Sequence, residues 1–111
     1  MISEEIKKKR SKLEEQYNQD KKEIDRKEKQ MTEEIELFKK ESNQLLEKVR
    51  YLTKDDLWDK RSYYRKMEES QAAIQTESRK FYQSIEEKRT ENKKKYMREI
   101  QKLEEADATS E

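Results

Sequence analysis

Apolar residues are sparse in this chain but regularly spaced. Ile2, Leu13, Ile24, Ile35, Leu46 and Leu57 recur every eleven residues, while Tyr17, Ile24, Met31, Phe38, Leu45 and Leu52 recur every seven. Seven residues make about two helical turns and eleven about three, so both ladders fall near one helix face. Together they predict a stripe that widens between Met31 and Leu52 and thins towards the N-terminus. Supercoiling should be weak or mixed in hand, because the two repeats bracket the natural helical period. Ser3 followed by Glu4 and Glu5 reads as an N-cap with acids in the first turn. A first helix is expected over about 4–51.

The stretch Leu52-Thr53-Lys54-Asp55-Asp56-Leu57-Trp58 lies near the midpoint and reads as a hinge at about 52–53. Thr53 can act as an N-cap for a second helix, with Asp56 reaching back to its N–H and Leu52 and Leu57 forming a hydrophobic staple. Asp55 and Asp56 would then meet the positive end of the helix dipole. The alternative is one unbroken helix with a polar patch in its middle.

Beyond the hinge, Leu57, Tyr64, Met67, Ile74, Phe81, Ile85, Tyr96, Ile100 and Leu103 step by three, four, seven or eleven, which predicts a second helix over about 54–105. The stripe fails between Glu86 and Lys95, and 106–111 should fray. The expected fold is all-α: a single domain over 1–111, built as an antiparallel, coiled-coil-like hairpin of two long helices. If the chain doubles back at 52–53, facing residues have numbers adding to about 105. That register pairs Phe38 with Met67, Met31 with Ile74, Ile24 with Phe81 and Ile2 with Leu103. Each arm would be roughly 70–80 Å long.

Composition narrows the function classes. Half of the 111 residues are charged, 29% are hydrophobic, and glycine, proline, cysteine and histidine are all absent. The dominant residues are good helix formers, so long solvated helices fit better than a disordered polyampholyte. A net charge of +1 provides no global field for nucleic acid or anionic membrane. No apolar run is long enough to span a bilayer and Met1 opens no signal peptide, so the protein is expected to be cytoplasmic at synthesis and not membrane-inserted. Export alongside a partner stays open.

Candidate chemistry is thin. The seven adjacent acid pairs, from Glu4-Glu5 to Glu104-Glu105, are best read as solvated faces, because a two-helix rod offers no enclosed site to shift a carboxylate pKa. Without histidine, cysteine or a glycine-rich phosphate loop, no catalytic residue, cofactor or metal is expected. Lys7-Lys8-Lys9-Arg10 and Lys93-Lys94-Lys95 would lie side by side in the expected register. Acids surround both runs and no aromatics interleave them, which disfavours nucleic acid as a partner.

The hairpin also has more apolar residues than its seam can use. Leu37, Leu46, Val49, Tyr51, Trp58, Tyr63 and Tyr82 cannot all point into one two-helix interface, so a second flank near the hinge should face another helix. Trp58, near Tyr51, Tyr63 and Tyr64, is either an anchor for a partner or a plug closing the seam.

A cysteine-free two-helix hairpin with Trp58 just after its reversal resembles the small helical proteins of bacterial type VII secretion. The Trp-X-Gly (ESAT-like) family carries its motif in the turn; here the match is Trp58-Asp59-Lys60, without the glycine. The family's Tyr-x-x-x-Asp/Glu export signal has its spacing in Tyr82-Gln83-Ser84-Ile85-Glu86, though Tyr64/Glu68 and Tyr51/Asp55 share it and none lies near the C-terminus. The chain is more similar still to the accessory proteins encoded beside LXG-domain toxins. That resemblance implies a non-enzymatic chaperone or targeting factor that binds the helical N-terminal domain of a toxin. The expected partner-binding residues are Leu45, Leu46, Val49, Leu52, Leu57, Trp58, Tyr63 and Tyr64. The alternative is a homodimeric coiled-coil spacer or scaffold.

Overall fold

The computed structural model describes residues 4–54 and 60–109. They form two helices, α1 (Glu4–Leu52) and α2 (Arg61–Thr109), each of 49 residues, and no strand occurs among the described residues. The fold is the expected all-α helical hairpin. Nothing in either sequence segment interrupts the i to i−4 ladder, since glycine and proline are absent. Glu4 and Glu5 stand in the first turn of α1 and Arg50 in its last, both matched to the helix dipole.

The reversal differs from the expected one. Thr53 closes α1 instead of opening α2: its N–H donates to the Val49 carbonyl at 3.0 Å and its hydroxyl to the same oxygen at 2.6 Å. A threonine hydroxyl can bond back to the i−4 carbonyl as well as cap forwards, and here the backward bond wins. Lys54 lies in a turn, Lys60 is non-helical, and the Lys60 carbonyl accepts the first bond of α2 from the Tyr64 N–H at 3.0 Å. The Lys60 ammonium donates to the Thr53 carbonyl, tying the end of α1 to the start of α2. The cap and staple roles of Asp55, Asp56 and Leu57 lie outside the described residues, as does Ser3. At the other end α2 continues to Thr109, past the expected fray at 106, because nothing after Leu103 breaks a helix.

A later reversal moves the register. The chain divides into two compact units, 1–28 with 83–111 and 29–82. In the first, Arg10 meets Glu104 and Asp25 meets Arg89, numbers adding to about 114 rather than 105. In the second, Thr32 and Tyr82 share a hydrogen bond of 2.7 Å in the same register. Phe38 accordingly lines a cleft with Ile74 and Gln75 instead of meeting Met67. Ile24 sits beside Lys88 and Arg89, not Phe81. The expected pairing of Ile2 lies outside the described residues. The coincidences at 105 arose because two ladders of related period match in several offsets.

In the first unit the helices pack antiparallel around Ile85, 1% exposed, and Ile24, 9% exposed. Where the apolar stripe fails, polar groups continue the seam. Arg89 donates to Asp25 at 2.5 Å and to Glu28 at 2.7 Å, and Asn92 donates to the Tyr17 carbonyl at 3.3 Å. Tyr17 stacks on Tyr96 with ring centroids 4.8 Å apart. Hydrogen bonds to Asp25 and then Glu28 push the Arg89 pKa up, so the guanidinium stays charged at any ordinary pH. Arg89→Ala is expected to cost about 1–2 kcal/mol, read as a lower melting temperature by circular dichroism. Arg89→Lys should restore only part, because one ammonium reaches two carboxylates poorly. An unchanged melting curve for Arg89→Ala would remove these ion pairs from the account.

On the surface of α1, Arg26 holds the Glu23 carboxylate below the usual carboxylate range through a hydrogen bond of 2.6 Å. A lowered folded-state pKa stabilises above the ordinary value of 4.5 and stops doing so as pH falls through the lowered one.

Candidate partner-binding surface

The second unit carries the wider part of the apolar stripe, yet none of its described residues is buried. Ile35, Phe38, Leu46, Val49, Met67, Ile74 and Phe81 are all half-buried. Four large apolar side chains of α1 are more than half exposed: Leu37, Leu45, Tyr51 at 69% and Leu52 at 66%.

Helical phase explains the division. Each residue advances about 100° around the helix axis, so a strict seven-residue ladder drifts by about 20° per repeat. Counted from Ile35, Leu46 and Val49 fall within about 40° and stay on the seam. Leu45 and Leu52, further along the drifting ladder, stand about 80–100° away and emerge into solvent. Leu37 lies about 160° round in the same sense as Leu45 and Leu52, at the outer edge of their flank, and Tyr51 about 160° round in the other.

The expected partner-binding residues therefore separate into three groups. Leu45 and Leu52 are on the exposed flank. Leu46, Val49, Tyr63 and Tyr64 are half-buried, with Tyr63 edge-on to Tyr64 at 5.8 Å and the Arg50 guanidinium 5.7 Å from the Tyr64 ring. Leu57 and Trp58 lie outside the described residues. Tyr82, the first residue of the spacing read as an export signal, is half-buried with its hydroxyl on Thr32.

A feature the sequence reading missed lies between the helices of the second unit. Phe38 and Ile74 share a cleft of about 320 Å³ with Lys39, Asn43, Gln71 and Gln75. The available signal was the run Ser70-Gln71-Ala72-Ala73-Ile74-Gln75-Thr76, seven residues without a charge in a chain that is half charged. An apolar floor rimmed by amides suits an inserted aliphatic side chain better than an ion.

The basic runs belong to the first unit and do not lie side by side. Arg10 pairs with Glu104 at 2.9 Å, whereas Lys93 shares a cleft with Lys21, and Lys95 shares another with Gln16 and Asp20. They are set apart by roughly 15 Å along the helices. The later reversal causes this, since it moves each residue of α2 away from its expected neighbour. No group of three metal-ligating side chains occurs among the described residues. No described helix is long and apolar enough to cross a membrane.

Comparisons with protein families, with curated proteins and with solved structures find no match to this chain.

Proposed function

We propose that this is a non-catalytic helical binding protein, one that associates with the helical N-terminal domain of a secreted LXG-type toxin and assists its targeting to a type VII secretion system. It acts in the cytoplasm before export. The observation that carries this reading is the second unit: its stripe is the widest of the chain, its seam is only half-buried, and Leu45 and Leu52 face solvent beside it. Such a face is completed by another amphipathic helix laid along it, with aliphatic anchors at heptad spacing. The resemblance to the accessory proteins of LXG toxins supplies the candidate partner.

The experiment is co-expression with an LXG toxin's N-terminal domain, followed by capture on a tag carried by the toxin. The expected result is stoichiometric co-elution, with a melting temperature above that of either component. Co-elution of nothing, with both chains folded, would contradict the proposal. The second reading, a homo-oligomeric spacer without cargo, uses the same exposed face. It predicts that the protein alone sediments as a tight oligomer and ignores the toxin domain.

A further inference from the structure

We infer that, when no other protein covers it, the exposed flank of α1 pairs antiparallel with the same flank of a second copy, about a two-fold axis passing between Gln44 and Leu45. The observation is a mirrored order among exposed residues of the second unit. Leu37, Glu41, Gln44, Leu45, Lys48 and Leu52 are all exposed and fall within an arc of about 100° on α1. Counted outward from the midpoint, Leu45 answers Gln44, Lys48 answers Glu41, and Leu52 answers Leu37.

A two-fold contact requires that residue i meet residue j and that j meet i in return. Laid antiparallel on its copy, this flank does so with matched chemistry. Leu37 meets Leu52 of the second copy twice over, Glu41 meets Lys48 of the second copy twice over, and beside the axis Leu45 meets Leu45 of the second copy on one side while Gln44 meets Gln44 on the other. A parallel pairing would set Glu41 on its own counterpart and Lys48 on its own, two like-charge contacts that oppose association. Charge therefore decides the orientation, and the apolar bracket decides the register.

The paired stretch is about 24 Å long. It buries on the order of 1,000 Å² in all, at the lower edge of specific interfaces. The dimer should be correspondingly weak, with a Kd in the range of tens of micromolar. A helical partner with a better-filled stripe would displace the second copy, so self-pairing shields the flank until that partner arrives. The inference uses the face invoked for the toxin domain but does not depend on what the partner is.

Sedimentation of the full chain between about 10 µM and 1 mM reads the dimer directly. Wild-type protein should pass from monomer to dimer across that range. E41K and K48E each create two like-charge contacts and should weaken the dimer roughly tenfold. The double variant E41K/K48E restores both ion pairs with their signs exchanged and should return to within about threefold of wild type. Both positions are exposed, so helicity should be unchanged in all four proteins. The chain has no cysteine, so Leu45→Cys should also form an intermolecular disulfide under mild oxidation, and the exposed Met97→Cys should not. A monomer at every concentration, or a double variant as weak as the singles, overturns the inference. Toxin-domain capture in the presence of either result would leave the proposed function standing and remove only the self-pairing.

Discussion

Ile85→Ala is expected to be the most damaging single truncation, lowering stability by about 2–4 kcal/mol. Ile85 is 1% exposed and is the only described side chain removed almost entirely from water. Truncation there loses the transfer free energy of the missing carbons and leaves a gap, because two helices held mainly by a narrow seam have few neighbours to fill it. Small scaffolds with thin cores have total stabilities of only a few kcal/mol, so the variant should melt near or below room temperature. Leu37→Ala is the control: more than half exposed, it should stay within about 0.5 kcal/mol of wild type. Circular dichroism melts at low protein concentration measure both. Equal effects at the two positions would mean that the first unit does not pack as described.

Loss of partner capture is the second large effect. Leu45→Glu combined with Leu52→Glu puts two carboxylates onto the exposed flank and should weaken association with a helical partner by a hundredfold or more, since a desolvated, unpaired charge costs several kcal/mol. Because both side chains are already more than half exposed, the hairpin itself should keep its helicity and melting temperature. Val49→Glu gives a contrasting result. Val49 is half-buried near the phase of Ile35, and its carbonyl accepts both bonds from Thr53 that close α1. That substitution should lower the melting temperature before it affects any partner. Isothermal titration against the captured toxin domain, paired with melts of each variant alone, separates the two. Capture unaffected by the double variant would show that this flank is not the docking surface.

The helices were legible because their cause is local: an uninterrupted supply of helix formers and a stripe of period near 3.6. The site was partly legible, because helical phase separates residues that a count of apolar positions groups together. Leu45 and Leu46 are adjacent in sequence, yet the heptad drift sends the first to solvent and leaves the second on the seam. The hinge was harder, because a threonine hydroxyl can cap forwards or bond backwards, and only the fate of the following residues decides. Misplacing it by a few residues displaced every expected cross-helix neighbour, including the two basic runs. Arg89 and Asn92 escaped notice for a different reason. A search for apolar periodicity reads a polar stretch as a failure of the seam, whereas Asp25, Glu28 and the Tyr17 carbonyl turn that stretch into a set of cross-helix bonds.

The proposed function rests on a second unit whose helices fold back on each other in this register and leave a flank of α1 uncovered. Cysteine pairs test this cleanly, because the native sequence contains none. Thr32 and Tyr82 already touch across the seam at 2.7 Å, while a reversal at 52–53 would have set residue 32 opposite Ala73. Thr32→Cys with Tyr82→Cys should be bridged at monomer mass by a short bismaleimide, which replaces the reach of the lost tyrosine ring, and Thr32→Cys with Ala73→Cys should not. Cross-linking through position 73, or only between separate chains, would contradict the hairpin and with it the flank.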